Sequence, residues 1–85
     1  MKSDLRNLVI AEEVFFADSV RYSSKIGPGG VDFRPRDGNI LLGVELTADG
    51  WTARIGNART RTVCAIFVGS TPLPPATKEG APACR

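Results

Sequence analysis

The stretch that most constrains this chain is 2–18, KSDLRNLVIAEEVFFAD. It holds neither Gly nor Pro, and its apolar residues recur at helical rather than strand spacing. Turned at about 100° per residue, Leu5, Leu8, Val9, Phe15 and Phe16 fall in one stripe. Ser3 and Asp4 suit a helix start, and the Asp4 carboxylate complements the helix dipole. The far side is unusual. Ile10 and Val14 lie opposite the main stripe, with Ala17 beside them, where a helix covering one sheet should be polar. The spacing therefore predicts a helix over about 2–18 that packs twice, against its own domain and against something else. The plainer alternative is a pair of scattered surface apolar residues, which are common.

A chain of 85 residues makes one small domain that buries only part of its unfolded surface, so a covalent staple is expected. Cys64 and Cys84 are its two cysteines. An even pair in a Gly- and Pro-rich chain reads as one disulfide closing about twenty residues, contributing roughly 3 kcal/mol. The alternative is two free thiols in a cytosolic protein. A bridge would imply an oxidising compartment. With no histidine and no CxxC, zinc and thioredoxin-type chemistry lack their residues. A net charge of +2 does not argue for nucleic acid. Arg34, Arg36, Arg54, Arg59 and Arg61 bunch in the middle, but without interleaved aromatics they read as a solvated face. No stretch is long enough to span a membrane, and no signal-peptide pattern precedes the helix.

After Asp18 the helix should weaken. Residues 23–38, SSKIGPGGVDFRPRDG, carry four of the nine glycines and two of the six prolines and read as a connecting loop. Val20, Tyr22, Ile26, Val31 and Phe33 are its expected anchors. Ile40 to Leu46 reads as a strand, and Asp49-Gly50 as a tight turn using positive φ. Trp51-Thr52-Ala53-Arg54-Ile55 alternates, placing Trp51, Ala53 and Ile55 on one face. A turn is expected over Gly56–Arg59, then a third strand from Thr60 to Val68. Four prolines bar the tail from any central strand or helix. Cys84 would tie it back as a closed loop over 70–85. The expected fold is α+β: the helix packed on a three- to four-stranded antiparallel meander spanning 39–69, with a loop over 19–38 and one disulfide.

Asp4-Leu5-Arg6-Asn7-Leu8 and Ala11 to Asp18 on the helix, Ala48-Asp49-Gly50-Trp51 in the meander, and a Val63-Cys64-Ala65-Ile66-Phe67-Val68-Gly69 strand paired with a late Pro75 to Cys84 stretch follow in order. Over nearly the whole chain this pattern resembles the globular part of bacterial type IV pilins and the pseudopilins of type II secretion. The family's basic leader, processing site and apolar N-terminal helix are not in this sequence. The resemblance therefore implies either the head of a longer pilin or the globular partner of a split pilin whose short N-terminal helix is a separate chain. It also implies that residues 2–18 are the C-terminal half of the pilin spine, with Leu5, Leu8, Val9, Phe15, Phe16 and Trp51 joining helix to sheet and Ile10, Val14 and Ala17 meeting neighbouring subunits.

Glu12 falls within the apolar stripe, where a carboxylate is costly unless paired. A catalytic acid is one reading. A Glu at the stripe's edge, snorkelling to solvent or paired with a nearby Arg or a backbone amide, is the favoured one, because no partner acid, nucleophile or metal cluster accompanies it. Asp32, Asp37 and Asp49 could supply calcium oxygens, as in major pseudopilins, but Glu79 is the sole acid of the C-terminal loop. Neither metal nor cofactor is expected, and general acid–base catalysis lacks players. The expected function is a structural subunit of a type IV pilus-like extracellular filament. Its precursor would be anchored in the inner membrane by the N-terminal segment, and heads would touch through the 23–38 and 69–84 loops. The alternatives are a secretion pseudopilin and a secreted monomeric module meeting an acidic partner through Arg34, Arg36, Arg59 and Arg61.

Overall fold

A computed structural model describes residues 2–27, 30–31, 33–36 and 38–85. Helix α1 spans Lys2–Ser19, followed by β1 (Asn39–Leu46), β2 (Trp51–Asn57), β3 (Thr60–Val68) and β4 (Ala83–Cys84). The four strands form one sheet in the order β1-β2-β3-β4, with every neighbouring pair antiparallel. The fold is α+β, with one disulfide joining Cys64 to Cys84.

The period-two alternation of β2 sets the sheet's inner face. Trp51, Ala53 and Ile55 are buried there beside Cys64 and Ile66 of β3, and Leu5 and Leu8 of α1 close the layer. Each fully buried side chain of this size stabilises the fold by about 1.5–3 kcal/mol. Asp4 accepts hydrogen bonds at the start of β1, whereas Phe16 shares a groove with Leu46 and Thr47 at its end. The helix therefore points in the same direction as β1 while lying over β2 and β3.

The opposite face is covered too. Ala65 and Phe67 of β3 form a second buried cluster with Ala76, flanked by Leu73 and Ala83. The proline-rich tail is thus the lid of a small second core, and its last residues form β4 rather than remaining loop. Ala83 and Cys84 lie beyond the last proline, so their ladder with Ala65 and Cys64 loses no donor. Coverage on both sides accounts for the unbroken apolar run from Val63 to Val68.

Three local expectations are corrected. Gly50 does not take a left-handed φ; it is required because a Cβ there would collide with the Val68 carbonyl. The second turn is tighter than expected: Gly56 and Asn57 belong to β2, and Ala58-Arg59 alone link the strands, with Asn57 paired to Thr60. The Asn57 side-chain oxygen accepts the Arg59 N–H at 2.8 Å, which shapes this turn. Val20 does not anchor the loop. It ends the helix at φ 57°, donating its N–H to Phe16 O at 2.7 Å, and its side chain is 77% exposed. Val31 is buried, and Tyr22, Ile26 and Phe33 pack against the main core as expected.

Candidate functional site

The two sides of α1 differ as their sequence spacing implies. Leu5 and Leu8 are sealed against the sheet with Trp51, and Val9 and Phe15 pack half-buried beside them. Phe16 leaves this layer. It is 37% exposed and its ring lies 4.8 Å from that of Tyr22, because near the helix's end it passes beyond the sheet's covered face and borders an open groove with Leu46 and Thr47. On the outer side Ile10 and Val14 are 62% and 61% exposed, and Ala17 is exposed as well. An open groove of about 460 Å³ follows this side, with Asn7, Ile10, Val14 and Asp18 on the helix and Gly30 on the loop.

Glu12 is fully buried within the inner stripe. One carboxylate oxygen accepts the Ser23 N–H at 3.1 Å, pinning the start of the loop to the helix. The other has no hydrogen-bond partner among the described residues. Burial raises its pKa above the usual carboxylate value, the Ser23 bond opposes the shift, and the neighbouring Glu13 adds to it. Glu12 therefore neither sits at the stripe's edge nor snorkels to solvent as expected: its place in mid-stripe seals it under the loop, where a backbone amide is its partner, with no ion pair to it among the described residues.

Asp4 carries more than a dipole interaction. Its buried carboxylate accepts the Arg36 N–H at 3.0 Å and the Asn39 side-chain amide at 2.6 Å, and the Arg36 guanidinium lies 3.7 Å away. Asn39 in turn accepts from the Asn57 side chain at 2.8 Å. The network locks the helix start, the loop end and the β2–β3 hairpin into one end of the molecule. An acid in the first helical turn is its sequence signal; its partners, distant in sequence, leave no periodic trace.

That end is basic. Lys2, Arg34, Arg36, Arg59 and Arg61 are all exposed around it, and Arg6 stands one helical turn along. Arg54 lies apart, in mid-sheet opposite Gly43 and Ala65. The other end carries Glu13, Asp18, Glu45, Asp49 and Glu79, all exposed, with Arg21 and Lys78 among them. There the Asp49 carboxylate accepts the Ser70 N–H, and hydrogen bonding from Ser70, side chain first and backbone second, lowers its pKa. Glu79 accepts the Gly69 N–H at 3.0 Å. Two of the acids weighed as calcium ligands, Asp49 and Glu79, are thus engaged with backbone amides. Asp32 and Asp37 lie outside the described residues.

Among the described residues no group of three or more His, Cys, Asp or Glu side chains could hold a metal. Nor is any helix among them long and apolar enough to cross a membrane. In the disulfide, Cys64 is buried and Cys84 exposed, the two facing each other across β3 and β4. No protein-family model matches this chain, and neither a curated protein nor a solved structure matches it.

Proposed function

We propose that this chain is a structural subunit of an extracellular filament of the type IV pilus kind, assembling through α1 with the disulfide-bonded head outside. One observation carries the reading: a single helix buries Leu5 and Leu8 on its own sheet while holding Ile10, Val14 and Ala17 in solvent on the opposite side. Apolar side chains aligned over two turns outside the domain's own core fit a surface that is covered in the assembled state. The Cys64–Cys84 bridge fits a protein that works in an oxidising compartment. The mechanism is assembly by burial of helix surface, without turnover, and it calls for no metal or cofactor.

The test is immunolabelled electron microscopy of the surface of cells expressing the gene, with antibody to this head. Labelled thin filaments that vanish on Ile10→Asp/Val14→Asp substitution, while the purified head keeps its circular dichroism and melting temperature, are the expected result. Expression without filaments, or filaments indifferent to that double substitution, would refute the reading.

A further inference from the structure

The two ends of this molecule carry opposite excesses of exposed charge. At the acidic end an open groove of about 320 Å³ lies between the end of α1 and the β1–β2 turn. Phe16 and Leu46 wall it with apolar surface, Tyr22 adds a second ring, Arg21 lines one side, and the exposed Asp49 carboxylate, bonded to one backbone N–H at Ser70, keeps lone pairs for a further donor. Leu46 is 52% exposed, so this apolar wall is open to a partner. At the basic end the β2–β3 hairpin is drawn tight by Asn57 around Ala58 and Arg59, and it presents Arg59 and Arg61 to solvent. An arginine matches such a groove in both of its parts. Its aliphatic stem covers apolar walls, and its guanidinium pairs with a carboxylate or stacks on an aromatic ring.

From this match we propose that the β2–β3 hairpin of one copy, bearing Arg59 and Arg61, seats in the Phe16–Leu46–Asp49 groove of a second copy. The occupant is another copy of this chain because the two complementary surfaces sit at opposite ends of one body, 36 Å in its longest extent. Each copy that offers its hairpin at one end leaves its own groove open at the other. A contact between unlike surfaces is not satisfied by a two-fold dimer, so copies add head to tail, and surfaces at opposite ends of the body favour an open row over a closed ring. Helices in such a row point the same way. The inference takes the assembly reading above as its frame, but its contact lies at the ends of the molecule and does not use Ile10 or Val14. Salt weakens it, because its charged partners meet at exposed surfaces.

The experiment is sedimentation equilibrium of the purified, disulfide-bonded chain over a range of protein and salt concentrations. Two charge reversals accompany it: Arg59→Glu/Arg61→Glu at the hairpin and Glu45→Lys/Asp49→Lys at the acidic end. All four positions are exposed, and circular dichroism verifies that each variant folds. The wild type should gain mass with concentration and lose it in high salt. Each reversed variant alone should associate at least about tenfold more weakly, and an equimolar mixture of the two should recover association, since the reversed ends then complement each other. A third variant, Leu46→Arg, fills the groove and should block association without reversing either end. A wild type that stays monomeric at low salt, association indifferent to the reversals, or a mixture that fails to recover would each overturn the proposal. Surface filaments sensitive to Ile10 and Val14 but not to Arg59 and Arg61 would remove this contact and leave the filament reading intact. Salt-sensitive rows without surface filaments would do the reverse.

Discussion

The Asp4 carboxylate accepts the Asn39 side-chain amide at 2.6 Å, and through this bond the first turn of α1 is fastened to the first residue of β1. The same oxygen takes the Arg36 N–H, so one buried carboxylate positions the helix, the loop end and the sheet edge together.

Asp4→Ala should therefore cost about 1–3 kcal/mol, because it strands two half-covered donors as well as losing their bonds. Asp4→Asn keeps one acceptor oxygen and should cost less. Urea denaturation checks this, with the midpoint falling in the order wild type, Asn, Ala at an unchanged slope.

Gly50 and Gly43 make a matched pair. A Cβ on Gly50 meets the Val68 carbonyl, whereas one on Gly43 meets nothing within 4 Å. Gly50→Ala should destabilise by about 2–3 kcal/mol by prising β2 from the end of β3. Gly43→Ala should be near neutral or stabilise by a few tenths of a kcal/mol. Thermal melts of the two variants side by side test the difference.

The elements that sequence made legible are those with a period. Trp51-Ala53-Ile55 alternates, and it lies on the inner face; Leu5 and Leu8 share a helical stripe, and they close over it. The outward side of α1, Ile10 and Val14, was legible for the same reason. What escaped had no period. The second core depends on Ala76 and Leu73 inside a proline-rich stretch whose composition reads as loop, although the unbroken apolar run of β3 signalled two covered faces. The arginines of the basic end were visible as a bunch in the chain. Their gathering around one end follows from the Asp4–Asn39–Asn57 network, which joins residues far apart in sequence.

Val20 holds a left-handed backbone at the end of α1, with φ 57°. A β-branched residue is disfavoured there, and glycine is the usual occupant of such a helix end. With its side chain in solvent, Val20 has little packing to lose. Val20→Gly should stabilise the protein by roughly 1 kcal/mol, relieving the backbone by more than it loosens the unfolded chain. A raised melting temperature would show it; a lowered one would place the side chain in a contact that matters.

Glu12 gives the fold a pH dependence of definite sign. Burial holds its proton to a higher pH in the folded chain than in the unfolded one. Between those two pKa values the folded state binds more protons, so this residue's contribution worsens as pH rises through the window and is most favourable below it. Glu12→Gln keeps an oxygen for the Ser23 N–H and removes the charge. The variant should be about 1 kcal/mol more stable than wild type at pH 7 and nearly equal to it at pH 4. Denaturation midpoints across that range check the convergence; a constant offset would mean the carboxyl does not titrate differently on folding.

The Cys64–Cys84 bridge holds the second core more than the first. Cys84 sits in a two-residue strand, and the tail between the cysteines carries Leu73 and Ala76 onto Phe67. Removing both sulfurs by Cys64→Ala/Cys84→Ala, which puts no hydroxyl into the core at Cys64, should cost about 3 kcal/mol, mainly from the freedom restored to the unfolded chain. The loss should be uneven. Amides that close the tail, Gly80 to Phe67 and Arg85 to Val63, should exchange with solvent much faster, while those joining β1 to β2 keep most of their protection. Uniform loss of protection would instead make the two cores one cooperative unit, with the tail as much a part of the fold as the helix.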